Sequence, residues 1–266
     1  MLIDPKSNQV RGVAKLNKKD ARSETGLFLL EGPQGLKEAL ARPKLIVDIY
    51  VTEEALNRHA ELIEQAEAAH VGVQIVSESV LKVMCDTNTP QGVLAVCQQL
   101  DVSLDDLMAS KPKLVALLAN IRDPGNAGTV LRAADAAGAD GVIFSSNSVD
   151  AYNPKVVRST TGSIFHLPLV IGADIAEAIA KLKAAGIQVL AANVGGIELP
   201  LLEKQQLAKP TAWVLGNEAW GFEPETLELV DLEVAVPIYG AAESLNLATA
   251  ASICLYASAF AQNVGD

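Results

Sequence analysis

Short β-branched apolar runs recur along this chain, each closed by Gly, Pro or a capping side chain. Longer mixed segments lie between them. In the first third, the runs at residues 27–30, 45–51, 73–76 and 93–96 predict four strands. Between them, Glu31-Gly32-Pro33 opens a helix to about Ala41. Thr52 is placed to cap a second helix, with Leu56, Leu62 and Ile63 on one face, and Ser77 to cap a third. This is a small α/β layer with enough apolar residues for its own core. Residues 98–112 are polar, acidic and end in proline, the composition of a linker. The expected division is therefore 1–100, a linker at 101–112, and 113–266.

In the second part the runs at residues 113–119, 142–144, 187–191, 213–215 and 234–236 predict strands. Helices are expected at 129–138 and at 153–161, the latter opened by Pro154. Another runs to Ala185 behind a capping box of Asp174 and Glu177. Alternation of strand and helix predicts a mostly parallel sheet covered on both faces. Such sheets present their ligand-binding loops at the carboxyl ends of the strands. Two strands end there in tight turns, Gly216-Asn217-Glu218 and Pro237-Ile238-Tyr239-Gly240, followed by Ser244-Leu245-Asn246. The last helix, expected over 244–260, is apolar nearly all round and must be buried on more than one side. A subunit interface is one way to do that.

Composition narrows the function. Half of the 266 residues are apolar and a fifth are charged, which is globular. A net charge of −11 argues against holding nucleic acid by bulk electrostatics. The charge is uneven: residues 1–25 carry six basic side chains against three acidic ones. Residues 6–25 read either as a solvated, mobile arm or as an RNA contact. The three cysteines show no C-x-x-C spacing, so metal and disulfide roles are set aside in favour of reduced thiols in a cytosolic protein. No secretory leader is expected, because no basic stretch followed by an apolar run stands at the start, and the apolar run near the end is too short and too rich in Ser, Asn and Thr to be expected to span a membrane. Asn120–Gly128 is a loop rich in turn residues, but its G-N-A-G is not a dinucleotide fingerprint. No acidic residue ends the following strand, and no Gly-Lys-Ser/Thr makes a P-loop. His166, beside Phe165 and Leu167, reads as structural rather than as a base. Aromatics at 4% are too few for a stacking surface of the single-strand-binding kind.

Three segments carry a resemblance. NIRDPGNAGTVLRAADAAGADGVIF (from Asn120), LGNEAWGF (from Leu215) and VPIYGAAESLNLATAASICLY (from Val236) resemble, in order, the three motifs of the SpoU (TrmH-type) RNA ribose 2′-O-methyltransferases of the SPOUT superfamily. FLLEGPQGLKEAL and NTPQGVLAV are similar to the amino-terminal substrate-binding domain of many members, which resembles a small ribosomal protein that binds kinked RNA. The resemblance implies an α/β SPOUT domain with a deep trefoil knot, S-adenosylmethionine as cofactor, no metal, a cytoplasmic homodimer, and RNA as substrate. The separate amino-terminal domain favours ribosomal over transfer RNA. An antibiotic-resistance methyltransferase and a non-catalytic RNA-binding or assembly factor stay open.

The implied catalytic residues are Arg132, six after Asn126, together with Asn126, Glu218, Ser244 and Asn246. Backbone groups at Leu215, Gly216, Asn217, Val236, Ile238, Leu245 and Leu247 are expected to hold the cofactor. Lys15, Lys18, Lys19, Arg22, Arg122 and Arg158 are expected to contact RNA. A guanidinium stays protonated, so Arg132 is better suited to grip a phosphate and stabilise a developing alkoxide than to act as a base. Plainer readings exist beside these. Arg132 can pair with Asp135, Asn126 can serve a turn, Glu218 can be an exposed turn carboxylate, and Ser244 or Asn246 can cap the last helix. Asn217 and Ala219-Trp220 depart from the small or charged residues of many members.

Overall fold

The computed structural model describes residues 1–263. The chain folds into two compact units, residues 1–100 with 152–165, and residues 101–151 with 166–266.

The first unit is built on β1 (Leu27–Glu31), β2 (Ile46–Val51), β3 (Gly72–Ile75) and β4 (Val93–Gln98), in the order β1-β4-β2-β3. β4 runs antiparallel to both β1 and β2, and β2 parallel to β3. The helix after β1 starts at Pro33, and Thr52 and Ser77 cap their helices as the sequence predicts.

Residues 6–25 are not a solvated arm. They form helices Asn8–Lys15 and Lys19–Thr25, the first capped by Ser7. Val10, Val13 and Leu16 are buried against Leu29, Tyr50, Val80 and Leu94. Three apolar side chains at helical spacing suffice, because they close an otherwise open sheet face. Arg22, expected at an RNA surface, is 2% exposed, and its Nη1 donates to the Leu16 carbonyl at 2.8 Å. A guanidinium so engaged cannot grip a phosphate.

The segment 152–165 completes this unit. The Tyr152 and Phe165 rings lie 4.9 and 6.2 Å from that of the fully buried Phe28. The Leu100 amide donates to the Tyr152 hydroxyl at 2.7 Å. Arg158, the other misplaced RNA candidate, donates to Glu31 at 3.0 Å and to Asp86 at 2.8 Å. Its Glu31 partner also accepts the Asp86 and Thr87 amides, so Arg158 is committed to an internal network. A fragment ending at residue 100 leaves Phe28 and Glu31 without these partners. We expect it to melt without a cooperative transition by circular dichroism. A sharp transition matching part of the full-length melt would contradict this.

The second unit holds β5 (Leu114–Leu118), β6 (Gly141–Ser145), β7 (Leu169–Ala173), β8 (Gln188–Glu198), β9 (Thr211–Leu215) and β10 (Leu232–Ala235). The order is β10-β8-β9-β5-β6-β7, and every pair is parallel. The central strands are buried throughout, as expected of a parallel sheet covered on both faces. Ala212 and Val214 face a core shared with Ile179 and Leu182 of helix Ile175–Ala184. Trp213 points the other way, and its indole donates to Ser258 of helix Leu247–Asn263 at 3.0 Å.

The structure differs from expectation in four places here. β7 is an additional strand. The 101–112 stretch holds a helix, Leu104–Ala109, with a full Ser103/Asp106 capping box and Leu107 buried in the core. The helix expected from residue 129 starts at Pro124, because Asp123 caps it and proline needs no amide partner at the first position. The last helix starts at Leu247 rather than 244. All three cysteines are free and buried, and burial pushes the Cys97 and Cys254 thiols up to about 12. They act as small apolar fillers. Among the described residues, no helix is long and apolar enough to cross a membrane.

Candidate active site

The carboxyl ends of β8, β9 and β10 open into a cleft of about 720 Å³. Its floor comes from an irregularity in the sheet. β10 pairs with β8 at Ala191, then skips to Ile197, so residues 192–196 have no partner on β10, and Ala192, Asn193, Val194 and Gly196 of this stretch line the cleft. Gly196 permits this: a Cβ there would lie 2.3 Å from the Glu233 carbonyl carbon. Sequence reading passed over Ala192, Asn193, Val194, Gly196 and Glu198. The Gly195-Gly196 pair inside a strand was the available signal.

The three motif turns meet at this cleft through one chain of side-chain hydrogen bonds. Asn126 sits in the first turn of helix Pro124–Ala136 and donates from Nδ2 to Glu218 Oε1 at 3.1 Å. Its Oδ1 accepts from Asn246 Nδ2 at 2.9 Å. Asn246 Oδ1 in turn accepts the amides of Ala248 and Thr249 at 2.9 and 3.3 Å. Asn246, not Ser244, therefore caps the last helix, and it does so while holding Asn126. The second Glu218 oxygen accepts the Arg122 amide at 3.5 Å. Asn126 thus orients Glu218 and Asn246.

The predicted cofactor residues divide. Gly216, Asn217, Val236, Ile238, Leu245 and Leu247 line the cleft. Leu215 does not: it is fully buried at the end of β9, and its carbonyl accepts the Ala119 amide at 2.8 Å. Asn217 is buried, and its side chain bridges the Asn120 carbonyl at 2.7 Å and the Ala219 amide at 2.8 Å. It builds the turn. Asn120, with φ +59°, belongs to a buried polar cluster with Ser145 and Ser148 that sequence reading did not single out. A Cβ on Gly216 would meet the Phe222 ring at 2.9 Å. By contrast, residues 236–245 make no hydrogen bond to protein among the described residues. Within this stretch residues 236–238 and 242–245 line the cleft, with backbone groups and the Ser244 hydroxyl open to it.

Arg132 is exposed and does not line the cleft. It lies six residues past Asn126, about 9 Å further along the helix axis. The expected pairing with Asp135 is absent: Asp135 binds His166 Nδ1 at 2.8 Å, which also gives His166 its structural role. Among the described residues Arg132 has no hydrogen-bond or ion-pair partner, and neither do the side chains of Arg122, Lys15, Lys18 and Lys19. No group of three or more His, Cys, Asp or Glu side chains among the described residues is arranged to hold a metal.

Residues 113–256 match the SpoU rRNA methylase family, and residues 7–95 match the MRM3-like substrate binding domain. The chain belongs to the SpoU rRNA methylase family.

The relatives named below each cover more than nine-tenths of it. It is 36% identical to the 23S rRNA (guanosine(2553)-2′-O)-methyltransferase RlmP of Bacillus subtilis, over 94% of this chain and 96% of that protein. The AdoMet-bound rRNA methyltransferase from Sinorhizobium meliloti superposes with a TM-score of 0.85 at 27% identity, covering 99% of this chain and 98% of that one. The SpoU methyltransferase AviRb from Streptomyces viridochromogenes, in complex with AdoMet, gives 0.82 at 26% identity, covering 95% and 98%. The parallel six-stranded sheet lies in the part matched to the SpoU family, and the preceding layer in the part matched to the MRM3-like substrate binding domain.

Proposed function

We propose that this protein transfers a methyl group from S-adenosylmethionine to a ribose 2′-hydroxyl of ribosomal RNA. The observation that carries the reading is the hydrogen-bonded chain Glu218–Asn126–Asn246, in which all three SpoU motifs converge on one cleft. The names of the relatives, several of them 23S rRNA 2′-O-methyltransferases, support ribosomal RNA and the ribose as target.

The residues present fit the cofactor. The cleft has the size of a small-molecule site. Val236, Ile238 and Leu245 offer apolar walls, and the open backbone of residues 236–238 and 242–245 offers donors and acceptors for the polar ends. When bound, S-adenosylmethionine supplies an electrophilic methyl group on a sulfonium sulfur.

The chain's own work is positioning and charge stabilisation. Glu218, fixed by Asn126 and the Arg122 amide, accepts a hydrogen bond from the ribose hydroxyl and sets its angle of approach. Ser244 lines the same cleft with a free hydroxyl. Arg132 and Arg122 are unpaired cations for the phosphates beside that ribose. Arg132 stabilises the charge that builds on oxygen as the proton passes along the hydrogen bond to Glu218, which is exposed, and on to solvent. The first unit, residues 1–100 with 152–165, docks the RNA, and the second, residues 101–151 with 166–266, carries out the transfer, through the trefoil-threaded fold implied by the family, as a cytoplasmic homodimer. The exposed Ile253 and Phe260 of the last helix supply an apolar face for that dimer.

Incubation with methyl-labelled S-adenosylmethionine and separated RNA fractions tests the reading. Label is expected in 23S RNA lacking modifications. Label confined to transfer RNA, or none in any fraction, would overturn it.

Docking has its own expected result. Lys15, Lys18 and Lys19 are exposed and unpaired on the amino-terminal helices. Changing all three to Gln is expected to weaken RNA binding and to lower the slope of log affinity against log salt by roughly 2–3. Single-turnover rates at saturating RNA should hold. A filter-binding series with an unchanged slope would place RNA recognition elsewhere.

A further inference from the structure

Trp220 and Tyr239 are exposed aromatic side chains on the two turns that bound the cleft, at 60% and 88% exposure. The chemistry above uses neither. They differ in how they are held. Tyr239 lies in the stretch 236–245, which makes no protein hydrogen bonds among the described residues. Trp220 sits on a pinned turn. The Asn217 amide donates to the Gly221 carbonyl at 2.8 Å, and the Gly221 amide donates back to Asn217 at 3.0 Å. The Asn217 side chain ties the same turn to Ala219 and to the Asn120 carbonyl. Gly221 closes it at φ +72°, where a side chain would be strained. The indole itself makes no hydrogen bond or ring contact among the described residues, whereas Trp213 is fully buried and bonded to Ser258. A rigid backbone that presents a large flat side chain to solvent is the arrangement of a binding anchor, since the backbone needs no further ordering and an indole has only two side-chain torsions to fix when a partner arrives.

What the anchor takes follows from its neighbours. Glu218 is two residues away and faces the cleft. The first motif meets this turn where the Arg122 amide reaches Glu218, and the guanidinium of Arg122 is unpaired among the described residues. A partner with a flat π-face for the indole, a hydroxyl for Glu218 and a phosphate for Arg122 satisfies all three, and every ribonucleotide has them.

We propose that the Trp220 indole is the stacking platform for an unpaired base at or next to the methylated nucleotide. This rests on the reading of the protein as an RNA ribose methyltransferase. It assigns base engagement to a single anchored indole rather than to an aromatic surface, which the chain's composition does not provide. Stacking at this point contributes affinity for the RNA, so Trp220 is a binding residue and its loss is read in KM.

The test uses the full-length protein and unmodified 23S rRNA transcribed in vitro. Trp220→Ala and Trp220→Leu are expected to raise KM for the transcript about 10-fold or more, the scale of losing one stacked base. Trp220→Phe is expected to stay within about threefold of the parent. In all three, kcat at saturating RNA and S-adenosylhomocysteine affinity should hold. The transcript should quench tryptophan emission of the parent and leave that of Trp220→Phe, which retains only Trp213, unchanged. An unaltered KM for Trp220→Ala, or equal KM values for the Leu and Phe variants, would overturn the proposal. So would a fall in mass by light scattering on Trp220→Ala, which would make the residue a subunit contact. If the parent does not methylate the transcript, the functional reading itself fails. The quenching comparison then still decides whether Trp220 stacks on RNA.

Discussion

Arg132→Ala is expected to lower turnover about 100-fold or more, the scale of removing one preorganised donor from a developing oxyanion. Its affinity for S-adenosylhomocysteine, measured by calorimetry without added metal, should be nearly unchanged. The reason is geometric. Arg132 is exposed, does not line the cleft and makes no hydrogen bond or ion pair among the described residues. A structural arginine would have a partner to lose. Arg132→Lys is not expected to restore activity, because a point ammonium cannot reproduce the planar fork that grips a phosphate. Loss of S-adenosylhomocysteine binding in Arg132→Ala would mean that the residue supports the fold of the cleft, and the assignment would be wrong.

Gly196→Ala is expected to damage the cleft from below. The added methyl would fall 2.3 Å from the Glu233 carbonyl carbon and 2.4 Å from its oxygen, both backbone atoms that no rotamer change can move. Relief requires β8 and β10 to separate where residues 192–196 have no partner on β10. The cost is about 1–3 kcal/mol, the range for overpacking a tight interior. That corresponds to a melting temperature lower by roughly 3–10 °C. S-adenosylhomocysteine affinity should fall about 10-fold or more, a further loss of about 1.4 kcal/mol. Gly195→Ala is the matched control, since a Cβ at Gly195 meets nothing within 4 Å. It should melt and bind like the parent. Equal melting temperatures for the two variants would show that the close approach at Gly196 is not needed.

The strands of the second unit were legible because a parallel sheet buried on both faces writes itself as short unbroken apolar runs, as at Leu114–Leu118 and Thr211–Leu215. β7 was not. Its run, Leu169–Ala173, is interrupted by Gly172 at φ +73° and half exposed at its end. The motif residues were legible as types at spacings, but their partners were not. Nothing in the sequence says that Asn126 spends its amide on Glu218 and Asn246 while Asp135 turns to His166. Burial of charge is equally hidden. Arg22 and Arg158 look like their exposed neighbours until the fold supplies the Leu16 carbonyl for one and Glu31 with Asp86 for the other. The start of helix Pro124–Ala136 was obscured by its own cap, since Asp-Pro-Gly-Asn reads as a turn until the amides that follow are seen to bond to it. The return of residues 152–165 to the first unit has no compositional trace at all; it is a matter of which hydrophobic rings Phe28 requires.

The central claim, that the methyl group goes to ribose oxygen, is tested most directly by the chemical form of the product. Unmodified 23S RNA is labelled with methyl-tritiated S-adenosylmethionine, digested to nucleosides and resolved by chromatography. Alkaline hydrolysis of a parallel sample leaves an alkali-resistant dinucleotide wherever a 2′-oxygen is blocked. The account predicts label in one 2′-O-methylnucleoside and in the alkali-resistant dinucleotide, and its loss with Arg132→Ala. Label recovered in a base-methylated nucleoside, with no alkali-resistant product, would contradict it.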